Sequence, residues 1–396
     1  MTATARSSAL APIGQADASA TSLRLERLET YAAAEDLWRR LQDEGVCTPY
    51  QRFDWAAAYR EAMAAGSDRA FPILLLRDEA GRPMLLLPLE VERKRGLAIA
   101  SILGGKHANY HCPVMTPRGA GIEGQELRRL LRSEGRHLGI DAYKFVNLPV
   151  SWAGLANPLA EGGRPSPSNA YRAALDGDSE ATLSRLFSTN SRKKLRSKEA
   201  KLRALGPVAH RIAASAAEAE AILAAFFAQK AARFSELGIA DPFADPATRT
   251  FLRSAAGAGL DAGRPAIELH ALTVGERIVA TFGAAVDAKR CCGMFISFDP
   301  DPTIARASPG ELLLLRTIAW QCLQGRRVFD LGVGEAHYKK ICDETEELVD
   351  VLLPVTARGA IFAAAAAAVF KAKRGLKQTP WAIELVSGMR KHLARR

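Results

Sequence analysis

The chain has no apolar run of the ~20 residues that a membrane-spanning helix needs. Its longest candidate, AIFAAAAAAVF at 360–370, is about half that length. The first 22 residues carry one Arg and no compact apolar segment. They read as a flexible leader rather than a secretory signal. Cysteine is sparse: six residues, at 47, 112, 291, 292, 322 and 342, with no CxxC pair. That argues against structural zinc and for a reduced, cytosolic chain with inert thiols. Cys291 and Cys292 are adjacent, so on a strand they face opposite ways. No G-x-S-x-G elbow occurs, so a covalent acyl-enzyme is not indicated.

What is present is ample apolar residue and unevenly placed positive charge. The 396 residues are 48% hydrophobic, enough for a substantial core and long enough for two domains. Net charge is +11. Residues 185–203 hold eight Lys/Arg against one Glu, and residues 371–396 hold the same balance. The remainder of the chain is therefore slightly acidic. Local basicity of this kind disfavours whole-surface nucleic-acid binding and favours two specific basic elements.

The chain divides into two similar halves. A strand at LRLERL precedes helices at 31–43 and RFDWAAAYREAM. FPILLLRDEAGRPMLLLPLEVERK predicts two strands joined by a turn at Asp78–Gly81. A strand (LAIASIL), a helix (GQELRRLLRSEGRHLG) and a strand (DAYKFVNLP) follow. Residues 151–168 are rich in Gly, Pro and Ser and read as a linker. The second half repeats the layout, with a strand at AYRAAL, a basic helix around SRKKLRSKEAKLRALG, two more helices and the hairpin AIELHALTVGERIVATFGAAVD. Then come the strand KRCCGMFISFD, the helix that begins at Ser308-Pro309-Gly310, and the strands RRVFDLGV and ELVDVLLPV. The expected divisions are a leader at 1–22, a first unit at 23–150, the linker, a second unit at 169–357 and a basic helical tail at 358–396. Internal duplication of one α+β unit accounts for the pattern, with a shared hairpin grammar as the alternative.

Ser308 reads as an N-cap and Pro309 as the first helical residue. Gly310 then leaves backbone N–H groups open at the positive end of the helix, a ready anion site. Arg306 stands just before it and Glu311 in the first turn. In FDLGVGEAHYKK, Asp330 ends an apolar strand, two glycines allow a sharp bend, and Tyr338 and Lys339 lie on the return. Candidates for a general base are Asp330, Glu311 and His270. The glycine-led loop GGKHANYHCP gathers Lys106, His107, Asn109, Tyr110 and His111 and suits an acceptor pocket. His107 and His111 have helical metal spacing, but Gly105 and Pro113 oppose a helix, so no metal site is expected.

Residues 184–355 resemble the acetyltransferase domain of the CelD/BcsL-type proteins associated with bacterial cellulose biosynthesis. The likeness rests on NSRKKLRSKEAKLRALG, QKAARF, GERIVATFGAAVD, SPGELLLLRTIAWQCLQG and FDLGVGEAHYKK, in that order. PYQRFDWAAAY and GGKHANYHCPV extend it into the first half, and the two-unit arrangement resembles the FemAB-type aminoacyl transferases. The resemblance implies two tandem GNAT-like units, α+β, with mixed, mostly antiparallel sheets flanked by helices. It implies acyl transfer from acetyl-CoA or another acyl-CoA to an amine or hydroxyl of a carbohydrate or envelope polysaccharide precursor. Arg306, Ser308 and Gly310 would bind the CoA. Asp330, Tyr338, Lys339 and Glu311 would act catalytically, and His107, Asn109, Tyr110 and His270 would meet the acceptor. One departure stands out. GNAT enzymes usually carry Q/R-x-x-G-x-G/A, whereas here Arg306 is followed by one glycine, four positions on. A FemAB-like aminoacyl-tRNA transferase and a non-catalytic protein retaining the fold are the alternatives. The tail, with Trp381, Ile383, Leu385, Val386 and Met389 among basic residues, is expected either to lie on an anionic inner-membrane surface or to pack and fray.

Overall fold

The structure, a computed structural model, describes residues 23–378. The expected leader and the segment at 381–389 lie outside them. The first unit comprises β1 (Arg24–Leu28), α1 (Tyr31–Glu44), α2 (Phe53–Ala64), β2 (Ile73–Arg77), β3 (Pro83–Lys94), β4 (Leu97–Ile102), β5 (Val114–Met115), α3 (Pro117–Ala120), α4 (Gly124–His137) and β6 (Ala142–Pro149). Short strands β7 (Ser151–Trp152), β8 (Leu155–Ala156) and β9 (Arg164–Pro165) follow. The second unit holds β10 (Ala170–Ala174), α5 (Ser179–Leu186), α6 (Thr189–Arg203), β11 (Val208–Ile212), α7 (Ala216–Glu236), α8 (Pro246–Gly257), β12 (Ile267–Val274), β13 (Arg277–Val286) and β14 (Arg290–Phe298). It continues through α9 (Pro302–Ala305), α10 (Pro309–Leu323), β15 (Val328–Val333) and β16 (Glu344–Glu346). The chain then runs through β17 (Leu348–Pro354) and α11 (Ala357–Gln378).

Local chemistry accounts for many boundaries. Thr30 caps α1 by accepting the Ala33 N–H at 3.1 Å. The β2–β3 turn closes where Asp78 accepts the Arg82 amide and Gly81 takes a positive φ of 75°. All eight residues of β12 are buried, because helices α7 and α8 lie over one face and α10 over the other.

The two sheets exchange strands. The first runs β1-β2-β3-β4-β6-β17-β9, with β5 on β3, and the second runs β11-β12-β13-β14-β15-β10-β16. β17, read from the sequence as the last strand of a second unit spanning 169–357, pairs antiparallel with β6 of the first. β10, which directly follows the first half, pairs antiparallel with β15 of the second. Each sheet is thus completed by a strand that lies next in sequence to the other. Residues 151–168 are not a free linker. Trp152 and Leu159 are buried, and β9 pairs with β17. Their Gly and Pro serve tight turns while these apolar side chains carry packing.

A continuous core joins the units. Trp55 and Tyr59 of α2 meet Phe251 of α8 at ring distances of 4.9 and 5.3 Å. Such edge-to-face pairs add about 0.5–1.5 kcal/mol each beyond area burial. The described part of the expected tail is helical and docked: α11 packs along β17 and β6. No helix among the described residues is long and apolar enough to cross a membrane.

Candidate functional site

In each unit two parallel strands pair briefly and then part. β14 and β15 pair only from Arg290–Val328 to Cys292–Asp330. β4 and β6 pair only at Ile99–Ala142 and Ala100–Tyr143. A helix follows the first strand of each pair: α10 after β14 and α4 after β4. The helix starts differ. At α4 the Glu161 carboxylate accepts the Gly124 N–H at 2.7 Å, so the chain fills its own anion position. At α10 the Gly310 amide has no partner among the described residues, and a Cβ there would meet nothing closer than 3.8 Å.

The start of α10 also differs from the expected cap. Ser308 adopts φ 48° and ψ 54°, a left-handed conformation that is rare for serine, and its side chain caps no amide. Its hydroxyl instead accepts from the Lys198 ammonium of α6 at 2.6 Å, and Glu311 stands 3.5 Å from the same ammonium. Arg316 of α10 binds Glu199 of α6 at 2.7 Å and holds the two helices together. Lys198 is the cation at this helix end. Arg306 ends α9, is exposed, and does not line the cavity beside it.

That cavity, of about 580 Å³, opens between β14, α7 and the start of α10. Ser308, Gly310, Glu311 and Tyr338 line it together with Ile296 and Lys230. Four of the residues singled out from the sequence therefore share one space. Burial raises the Tyr338 phenol above its ordinary range and lowers the Lys230 ammonium. Lys339, 5% exposed, does not reach the cavity. Its ammonium donates to the Gly332 and Val333 carbonyls at 2.9 and 2.8 Å, fixing the turn that carries Tyr338. The residues fit an anionic cofactor tail: an open helix start, a neighbouring lysine, and a glycine with free space above it.

Asp330 is not placed as an accessible base. It is fully buried. Its carboxylate accepts from Tyr110 Oη at 2.5 Å, Arg290 Nη1 at 3.2 Å and the Gly332 amide at 2.6 Å. Burial pushes it above the usual carboxylate range, against the pull of Arg290 and Tyr110. Arg290 also stacks over Trp152 at 3.9 Å. Asp330 is a joint between the units, because Tyr110 and Trp152 come from outside the second half.

The four residues expected to form an acceptor pocket are separated. Asn109 bridges the parted strands of the second sheet, donating to Gly293 O at 2.9 Å and accepting from the Val333 amide at 3.3 Å. A Cβ on Gly332 would overlap this carboxamide. Tyr110 is buried on Asp330. His270 is buried in the core, between Glu268 at 2.8 Å and His210 at 3.0 Å. Only His107 lines an open space. This is a second cavity, of about 570 Å³, at the parting of β4 and β6. Tyr59, Glu90, His111 and Asn147 line it, together with Asp245 and Thr248 of the second unit. Burial lowers both His107 and His111 to about 4, so their imidazoles are neutral at neutral pH. Burial raises Glu90, which accepts from Tyr59 Oη at 3.0 Å and pairs with Arg69 at 2.7 Å.

Lys198 and Glu161 are the informative residues that sequence reasoning missed. Lys198 sat in a charge run that reads as a solvated face, and Glu161 in an apparent linker. Both act through contacts distant in sequence, and no local pattern marks those.

Residues 189–340 match the family model described as an acetyltransferase (GNAT) domain. No curated protein matches the sequence. Among solved structures, FemX is similar over 82% of this chain and 97% of its own, at 9% identity and a TM-score of 0.53. A conserved protein of unknown function from Bacteroides thetaiotaomicron is similar over 84% of this chain and 100% of its own, at 11% identity and a TM-score of 0.50. The C-terminal domain of a putative lysylphosphatidylglycerol synthetase from Agrobacterium fabrum covers 86% of this chain and 97% of its own, at 13% identity and 0.49. The first two of these likenesses bear on fold alone. The fold is two tandem GNAT units with mixed sheets and flanking helices, as the sequence led one to expect.

Proposed function

We propose that this chain is an acyl-CoA-dependent acyltransferase that holds its donor at the start of α10. The observation that carries the reading is the contrast between two equivalent helix ends. Glu161 fills the one at α4, while the one at α10 stays open beside Lys198 and a cavity. The CoA phosphates would lie on the Gly310 amide and Lys198. The acceptor amine or hydroxyl would attack the thioester carbonyl and lose its proton to water, since Glu311 stands 3.5 Å from Lys198, at the phosphate end. As the C–S bond breaks, the thiolate would take a proton from the Tyr338 hydroxyl, which its surroundings keep protonated. The acceptor would enter by the cleft at His107, whose loop runs on to Asn109 between the parted strands. Acetyl as the group, and a carbohydrate or envelope polysaccharide precursor as the acceptor, rest on the CelD/BcsL resemblance alone.

A second reading, an aminoacyl-tRNA donor, draws on one observation: Lys193, Lys194, Arg196 and Lys201 are exposed on α6, the helix that carries Lys198. Calorimetric titration of the full chain with acetyl-CoA, CoA and tRNA separates the two. Wild type is expected to bind acetyl-CoA. Gly310→Glu is expected to abolish that binding with no loss of thermal stability, since an acidic side chain suits a helix start. Tyr338→Phe is expected to lower thiol release with an amine acceptor about 10²-fold at unchanged affinity. Binding of tRNA with a steep salt dependence, and none of CoA, would replace the acyl-CoA reading. Wild-type affinity in Gly310→Glu would move the donor site elsewhere.

A further inference from the structure

A third cavity, of about 900 Å³, runs between α4, β17 and α11, away from both parted-strand sites. Five cations line it: Arg128, Arg132, Arg164, Lys371 and Arg374. The one carboxylate on its wall, Asp350, is buried and accepts from Ser166 Oγ at 2.5 Å and the Asn147 amide at 2.9 Å. Against five cations it leaves the groove net positive. Arg129, next to Arg128 on α4, pairs with Glu126 at 2.7 Å. Arg128, Arg132, Arg164 and Lys371 have none among the described residues.

The floor beneath these cations is apolar. Leu352 and Pro354 of β17 face Ala363, Ala364, Ala367 and Phe370 of α11 across it. Small alanine side chains keep the trough open. On the outer side of α11, Ile361, Val369 and Leu376 are 74%, 50% and 52% exposed. Their spacings of eight and seven residues put them on one face of the helix. Four cations without carboxylate partners above an apolar trough, flanked by a bare aliphatic stripe, match a ligand with an anionic head and a hydrocarbon body. The stripe lies outside the groove, so a single small molecule in the trough leaves it in water. An extended surface covers both.

We propose that this groove is a docking site for an anionic phospholipid presented by a bilayer. The headgroup phosphate sits among Arg128, Arg132 and Arg164, the proximal acyl carbons lie on the alanine floor, and the stripe enters the interface. The proposal is independent of the acyl-transfer reading, since it uses none of the residues at α10.

The test is sedimentation of the full chain with phosphatidylglycerol vesicles and with neutral phosphatidylcholine vesicles. Wild type is expected to bind the former, less at high salt. Because each cation near an anionic surface strengthens binding about fivefold, Arg128→Ala/Arg164→Ala is expected to weaken it roughly 25-fold. The variant keeps residues 379–396, so any contribution of that segment cancels. Lys193→Ala/Lys194→Ala on α6 is the control for bulk charge and is expected to bind as wild type. Equal losses in both double variants would overturn the proposal, as would wild-type binding by Arg128→Ala/Arg164→Ala. Complete displacement by excess inorganic phosphate at constant ionic strength would show an anion site without lipid and would also overturn it. Circular dichroism and melting of each variant exclude unfolding as the cause.

Discussion

Asp330 shows how far a residue's surroundings decide its work. As sequence it is a carboxylate at a strand end followed by glycines, a common setting for a catalytic base. In the fold it is sealed between Tyr110 and Arg290, with the Gly332 amide on its other oxygen. Asp330→Asn keeps the shape but leaves the Arg290 guanidinium buried beside a neutral amide. The expected loss is about 1–3 kcal/mol of stability, read from urea denaturation, because the buried Arg290 then keeps only Glu346, at 3.8 Å, as counter-charge. Acetyl-CoA affinity of the remaining folded protein is expected to stay unchanged. A catalytic Asp330 would show the opposite pattern, with stability kept and turnover lost. Tyr338 was singled out on a local signal. The glycines before it forced a return of the chain, and the return put it on the cavity beside Gly310.

At the scale of elements, α6 and α10 form one device. Lys198 reaches Ser308, and Glu199 holds Arg316. Lys198→Ala is expected to weaken acetyl-CoA binding about tenfold at low salt and less at high salt, since a charge-assisted contact contributes about 1.5–3 kcal/mol before screening. Arg306→Ala is expected to bind as wild type, because Arg306 lies off the cavity. Calorimetry at two salt concentrations checks both. Nearly every long element was legible in the sequence. Apolar spacing, the Asp78–Gly81 turn and the Pro309 start are local signals, and they fell within a few residues of the observed bounds. Strand partners were not legible. LVDVLLP is apolar enough to sit in either sheet, and nothing in its alternation says that β6 rather than β15 is its neighbour. The candidate site was half legible for the same reason. Ser308, Gly310, Glu311 and Tyr338 follow from local motifs, whereas Lys198 and the plug at Glu161 depend on contacts between distant segments.

At the scale of the whole molecule, exchanged strands and a shared aromatic seam make two units into one folding body. Scanning calorimetry is expected to show one transition, with calorimetric and van't Hoff enthalpies equal. Two separate transitions would mean that β10 and β17 add little to the sheets they complete. The exchange also has a direction in time. β10 leaves the ribosome before β15, so the second sheet finds its closing strand already waiting. β6 leaves ~200 residues ahead of β17, an interval on the order of 10–40 s at ordinary rates of synthesis. Through that interval the first unit exists with one edge bare, a row of unpaired amides and carbonyls open to any passing strand. The nascent chain is therefore most exposed to mispairing between the synthesis of β6 and that of β17, and the arrival of β17 is also what ends that exposure.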